Sequence, residues 1–321
     1  MNTVLTHLAG NRALIAYAGV ILVFVVGATL IPGFSSVFSI RAMLILASLL
    51  AIAALGQTLV MILGGIDLSI PFVIGFANVV FASLYGGGMP VWLVLAIVLV
   101  GAALIGAFSG AISAALAIHP LIVTLGVGTV VQALVQIWTR GLPTGSAPPF
   151  INEFVSLGGS VGPLPFPWLI PFTLILTIAT IFVLRRTIYG RKLYALGSNP
   201  KAAELALVRP VVMWAMTFAI SAIFAALAGI FLLGFTGSSS AGVGTPYLFQ
   251  TVSAVVIGGT ALIGGRGGFV GTIAGAIVLI ELRTVLIGIG LSEAMVQSAL
   301  GVLILLLVAA YGRDQHIRNL I

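Results

Sequence analysis

The sequence predicts an all-α membrane protein, a polytopic helical bundle of about ten transmembrane spans within bounds of eight to ten, and three observations carry that expectation. Hydrophobic residues make up 61% of the 321 residues and charged residues only 6%, with mean hydropathy +1.30. A soluble domain of that length needs far more charge to cover its surface. Apolar runs of about twenty residues, the length of helix that crosses a hydrocarbon core, follow one another along the chain. The cations lie mostly between those runs, and residues 185–209, RRTIYGRKLYALGSNPKAAELALVR, hold six of the thirteen Lys and Arg.

The first run, 13–32, lies behind Arg12. It is longer than the apolar core of a signal peptide and no A-x-A cleavage pattern follows it, so it is expected to remain as the first span. Spans at 43–63 and 69–86 are divided by Gly64-Gly65, the run Gly86-Gly87-Gly88 introduces 91–117, and His119-Pro120 opens 120–138. Residues 140–166, rich in Pro and Gly, predict a structured external loop. A formal G-x-S-x-G at 158–162 lies in that loop, without the strand-turn-helix context of a nucleophile elbow. Span 167–184 leads into the basic loop of about 185–210. Spans 211–234 and 248–264 follow, and the turn Gly264-Gly265-Arg266-Gly267-Gly268 leads to 268–290, with 293–311 last. Gly106-x-x-x-Gly110 and Gly271-x-x-x-Gly275 predict close helix packing. A faint likeness between 58–77 and 254–276 hints at internal duplication.

With Arg12 and the N-terminus in the cytoplasm, ten spans place the 185–210 loop, the Arg266 turn and the tail with Arg313 and Arg318 there too, so both termini are expected inside. Arg41 and Arg140 fall on the outer face, against the rule. The net charge of +7 and pI near 10.4 are therefore read as topology; no stacking aromatics interleave the cations, and no nucleic-acid partner is expected. The chain has no cysteine, which excludes disulfides and thiolate metal sites. His7, His119 and His316 are too scattered for a metal site, and none is expected.

The six acidic residues, Asp67, Glu153, Glu204, Glu281, Glu293 and Asp314, include no pair spaced for hydrolytic or metal chemistry, so catalysis is not expected. The only lysines, Lys192 and Lys201, do not belong to a G-x-x-x-x-G-K-[ST] motif, so the chain has no P-loop for ATP. An ion-coupled secondary carrier of a small polar solute, the alternative reading, would place carboxylates at the membrane midplane. Only Glu281 and Arg283 lie well inside an expected span, whereas Asp67 and Glu293 stand at span ends where water reaches. The energy for transport is therefore expected from a partner. Within the basic loop, Asn199 can cap a short helix whose first residue is Pro200, running through Lys201, Ala202, Ala203, Glu204 and Leu205. That helix suits a docking surface; an ordinary basic loop resting on anionic membrane lipid is the alternative.

The loop sequence GRKLYALGSNPKAAELALV closely resembles that of the sugar-type ABC importer permeases, the ribose, xylose and galactose permease family. The resemblance extends over nearly the whole chain through GQTLVMILGGIDLSI (56–70), HPLIVTLGVGT (119–129), VVIGGTALIGGRGGFVGTIAGA (255–276) and the span 293–311, in that family's order. It implies a single permease domain over 1–321 in the bacterial inner membrane, the inner-membrane component of a binding-protein-dependent transport system. Its partners would be a second permease copy or sister permease, a cytoplasmic ABC ATPase, and a periplasmic or surface-anchored solute-binding protein. No cofactor would sit on this chain, ATP and Mg belonging to the ATPase. The helix at 197–207 would dock in the ATPase, with Gly197, Ser198, Asn199, Pro200, Lys201, Ala202, Ala203, Glu204 and Leu205 as the coupling residues.

This chain departs from the family where Ala206-Leu207-Val208 replaces a Ser-Gly-Ile type turn, where Ile70-Pro71-Phe72 follows Asp67-Leu68-Ser69, at Leu248-Phe249-Gln250, and at Arg283-Thr284-Val285. These changes bear on which solute is carried. A path for a sugar should be wet and weakly polar, and Gln57, Asn78, Thr124, Thr129, Gln132, Gln136 and Gln297 could line it; hydrogen bonds between helices are the alternative for each. Asp67 and Ser69 are expected to cap the following helix. Gly64, Gly65, Gly258, Gly259, Gly264 and Gly265 form the remaining motif positions.

Overall fold

The computed structural model describes residues 12–161 and 166–311, and the regular elements among them are thirteen helices. They are α1 Arg12–Leu30, α2 Val37–Leu63, α3 Ile70–Gly86, α4 Val91–Ala115, α5 Pro120–Trp138, α6 Pro149–Val155 and α7 Leu169–Arg186. Then come α8 Ile188–Ser198, α9 Pro200–Leu205, α10 Pro210–Thr236, α11 Tyr247–Ile257, α12 Phe269–Gly288 and α13 Glu293–Tyr311. Seven of these are long and apolar enough to cross a membrane: α1, α2, α4, α5, α7, α10 and α12. The tail cations, His7, His316, Asp314 and Gly162 lie outside the described residues.

Two 27-residue helices, α2 and α10, form the centre. From Ala47 to the end of α2 every residue is buried, because α10, α11 and α12 surround it. A helix apolar on all sides belongs inside a protein core or a membrane, and here its second half is enclosed by protein. Small residues let the neighbours close in: a β-carbon on Gly106 of α4 would lie 2.1 Å from the Phe218 carbonyl oxygen of α10, and one on Gly275 of α12 would lie 2.1 Å from that of Ala254 on α11. Both expected small-residue pairs are thus packing sites. Helices α1, α4, α5 and α7 form the periphery and expose apolar side chains outward, among them Ile21, Leu104, Ile137 and Phe182. These are the surfaces that lipid tails solvate.

Four helices on each side of the basic loop repeat the same neighbour relations. As α10 packs on α4 and α3, so α2 packs on α12 and α11; α3 meets α4 and α5 as α11 meets α12 and α13. The likeness of 58–77 to 254–276 pairs α2–α3 with α11–α12 and therefore does not follow this register, in which α2 corresponds to α10. The two halves meet directly where the Thr58 and Thr272 hydroxyls share a 2.8 Å hydrogen bond.

Several expected elements change. The span expected at 248–264 is a helix only to Ile257, 11 residues or about 16 Å, too short for a hydrocarbon core of about 30 Å. Gly258 and Gly259, the latter with φ +85°, end it, and the chain continues as an irregular turn to Gly268. The basic loop is itself helical, as α8 and α9. The external loop contains α6, whose Phe154 stacks on Phe231 of α10 at 5.3 Å. Arg41, at the foot of α2, donates to the Leu157 carbonyl of that loop at 3.3 Å, so both lie on one face.

Candidate functional site

The coupling segment forms as its local chemistry dictates. Asn199 takes an extended conformation, its side-chain oxygen accepts from the Ala202 N–H at 3.1 Å, and Pro200 fills the first helical position. The expected continuous helix over 197–207 is divided at that residue: Gly197 and Ser198 close α8, and α9 begins at Pro200. Ala203 and Val208 turn inward. Lys201, Ala202, Glu204, Leu205 and Leu207 face out, and Leu205 and Leu207 are each 87% exposed. Leu207 also adopts φ +61°, left-handed backbone that L side chains avoid, so that Val208 N–H can reach the Ala203 carbonyl at 3.0 Å.

Helix α8 fastens this segment to the bundle at three places. The Tyr189 hydroxyl shares a 3.1 Å hydrogen bond with Thr217 of α10, and burial pushes its pKa up to about 12, so it stays protonated in ordinary conditions. The Tyr194 hydroxyl donates to the Gly267 carbonyl at 2.7 Å. At the end of α8 three stretches of backbone meet. A β-carbon on Gly197 would lie 1.9 Å from the Ile62 carbonyl oxygen, and that oxygen accepts from Gly265 N–H at 2.8 Å. Gly64, whose φ of +94° ends α2, and Gly264 lie against the same junction. Motif glycines 200 positions apart in sequence, Gly64 and Gly264, thereby join the coupling segment to the two central turns, while Gly258 lies against the Gly271 backbone at the start of α12.

From Gly64 the chain does not stay at the face but turns back into the bundle as irregular backbone to Ser69. Gln57, six residues inside α2 and so about 9 Å from its end, accepts from the Asp67 N–H at 3.3 Å. Asp67 is only 1% exposed. The expectation that water reaches it at a span junction is therefore overturned, because the segment folds inward. Its carboxylate accepts from the Ser69 N–H at 2.9 Å, the Ser69 hydroxyl at 2.5 Å and the Ser221 hydroxyl of α10 at 2.7 Å. Ser69 stands at the N-cap position of α3 yet makes no side-chain cap, its hydroxyl being spent on Asp67. Asp67 closes a turn onto the Ser69 N–H just before the helix, so neither side chain makes the expected cap of α3. A buried carboxylate among serine donors, with no cation beside it among the described residues, depends on those bonds for its stability.

The polar residues considered for a pathway separate into two groups. Thr124 is buried and accepts from Leu68 N–H at 3.0 Å, and Asn78 is buried between the Gly229 carbonyl and the Ser240 N–H, at 3.1 and 2.9 Å. Gln57 shares the Asp67 cluster. Thr129 and Gln136 instead face out from α5, with Gln132 half-buried and donating to the Ala241 carbonyl at 3.4 Å. Gln136, Ala133 and Thr139 line a cleft of about 450 Å³ with Ser240 and Ala241. Gln297 lies apart from both groups, exposed and beside Glu293, which pairs with Arg283 at 2.8 Å. Glu281 is 4% exposed, and its Oε2 has no partner among the described residues. Sequence reasoning missed Ser221 and Leu207: a serine inside an apolar run and a leucine after a short helix carry no local signal of a buried carboxylate or of left-handed backbone.

Residues 39–309 match the family described as branched-chain amino acid transport system, permease component. The chain is 31% identical to the ribose import permease protein of Haemophilus influenzae over 92% of each chain. It is 31% identical to the fructose import permease protein of Rhizobium meliloti, covering 89% of this chain and 80% of that one. It is 30% identical to the autoinducer 2 import system permease protein of Shigella flexneri, covering 88% of this chain and 82% of that one. No solved structure matches.

Proposed function

The chain belongs to the branched-chain amino acid transport system permease component family, and from that membership we propose that it is the membrane subunit of an ABC importer for a monosaccharide or similar polar solute. The solute class follows from relatives named for ribose, fructose and autoinducer 2. ATP and Mg bind a separate cytoplasmic ATPase, a solute-binding protein delivers the cargo at the opposite face, and a second copy or sister permease completes the pathway. Ten crossings, counting α3, α13 and α11 together with the irregular backbone that carries it on to Gly268, leave both termini in the cytoplasm of a bacterial inner membrane. The Tyr194–Gly267 bond supports this orientation, since it holds the basic segment and the Arg266 turn on one face.

One observation carries the reading. Helix α9 and the turn that ends it present Leu205 and Leu207, each 87% exposed, on a backbone that α8 fastens to α2, α10 and the Gly264 turn. An apolar pair left exposed at the end of a firmly held six-residue helix suits a docking knob whose displacement moves the bundle as a rigid body. Inverted vesicles with and without a co-expressed ATPase test it, using ribose, fructose and autoinducer 2 with the matching binding protein. ATP-dependent solute movement that needs the ATPase is expected, and equal movement without the ATPase overturns the proposal. Glu281→Gln should leave ATP-driven transport intact; loss of an ion-gradient-driven flux in that variant would point to an ion-coupled carrier instead.

A further inference from the structure

A second cleft, about 610 Å³, opens where α1, α7, α8 and the Gly264–Gly268 turn meet. Ala13 of α1, Ile181, Leu184 and Arg185 of α7, Tyr194 of α8 and Arg266 of the turn line it, and the first turn of α12 forms its floor. Two guanidinium groups thus share one concavity, and among the described residues no carboxylate stands in its wall. Burial raises the Tyr194 hydroxyl's pKa while the nearby Arg185 guanidinium pulls the other way, and both side chains line the cleft. Below the cleft, toward the membrane interior, α7 turns Leu174, Ile178 and Phe182 outward on the helical face that continues from Arg185, and α1 adds Leu14 and Ile15, all exposed. Tyr17 of α1, an amphipathic ring at the same depth, donates to the Val270 carbonyl at 3.2 Å and holds α1 against the floor.

Basic side chains at the mouth and an uninterrupted apolar wall beneath fit one molecule that carries both characters. We infer that this cleft binds an anionic phospholipid, its head-group phosphate between Arg185 and Arg266 and its acyl chains along α1 and α7. Free phosphate shares the head-group chemistry but gains nothing from the apolar wall, so the two sources are separable. The site depends on the chain spanning a membrane and not on the docking role of α9. The lipid would hold α1 and α7 to the Gly264 turn, and through Tyr194 to α8.

The full chain, purified in mild detergent, is to be analysed by native mass spectrometry and thermal unfolding with phosphatidylglycerol, phosphatidylcholine or inorganic phosphate added. Phosphatidylglycerol should remain bound and raise the unfolding temperature, with phosphatidylcholine and phosphate doing neither. The double variant Arg185→Ala, Arg266→Ala should lose the preference for phosphatidylglycerol by about thirtyfold, the scale set by two cations at a membrane surface. Arg266→Lys, which keeps the charge, should retain most of it and shows that the loss is not misfolding. The inference is overturned by equal retention of the two lipids, by undiminished phosphatidylglycerol binding in the double variant, or by displacement of phosphatidylglycerol with millimolar phosphate.

Discussion

Leu207 holds φ +61° with its side chain 87% exposed, so the residue is costly for the free chain in both backbone and solvation. Leu207→Gly should leave folding stability within about 1 kcal/mol of the parent, since relief of left-handed strain offsets the added entropy of the unfolded chain. The same change should weaken the ATPase complex about tenfold, as an apolar contact is lost. Thermal unfolding and co-purification measure the two effects, and an unweakened complex would remove Leu207 from the docking surface. Inside the bundle, Ser221→Ala takes a donor from the Asp67 carboxylate and should cost about 1–3 kcal/mol. Unfolding in detergent at the wild-type temperature would mean that this bond does not hold Asp67. The Asn199 cap is legible because its partner is three residues away. Asp67 burial is not, because it depends on Ser221, 154 positions distant, and on a segment that hydropathy reads as a joint.

At the scale of elements, α8 is the lever: one end holds α9 and its length touches α10, the Gly264 turn and α2. Gly197→Ala tests the contact with α2, because the new β-carbon would lie 1.9 Å from a carbonyl oxygen that no rotamer can move. The end of α8 must then shift, at about 1–3 kcal/mol of overpacking. The expected signature is an ATPase that still binds and hydrolyses ATP while solute transport falls about tenfold or more, the scale of a geometric misfit at a coupling contact. Parallel loss of ATPase binding would instead assign Gly197 to folding of the dock. Hydropathy located these elements but misjudged α11, since Gly258 to Gly264 is as apolar as a helix and only the glycine φ values reveal a turn. Conversely, α8 and α9 are too short and polar to register as spans, and their helicity is written in capping residues instead.

Across the whole molecule, the two repeated sets of helices leave one peripheral surface unlike the rest. The outer faces of α4 and α7 carry bulky apolar residues such as Leu104, Phe108, Leu174 and Phe182. On α5, the positions Gly126, Thr129, Ala133 and Gln136 recur at helical spacing, are exposed, and are small or polar. Lipid tails gain nothing from an amide, so this strip belongs against water or a second subunit, and the cleft shared by Gln136 with Ser240 and Ala241 opens beside it. Because the natural chain has no cysteine, single substitutions report on this directly. In the assembled transporter, Gln136→Cys should react with a membrane-impermeant maleimide from the face opposite α9, and cognate solute with its binding protein should slow the reaction. Leu174→Cys, on the apolar face of α7, should stay unreactive under the same conditions. If the two cysteines are equally protected, α5 faces lipid and the pathway must run elsewhere, through the interior held by Asn78 and Asp67. If Gln136→Cys reacts and solute protects it, the route runs along the outer face of α5, so that a complete channel needs the surface of a second permease.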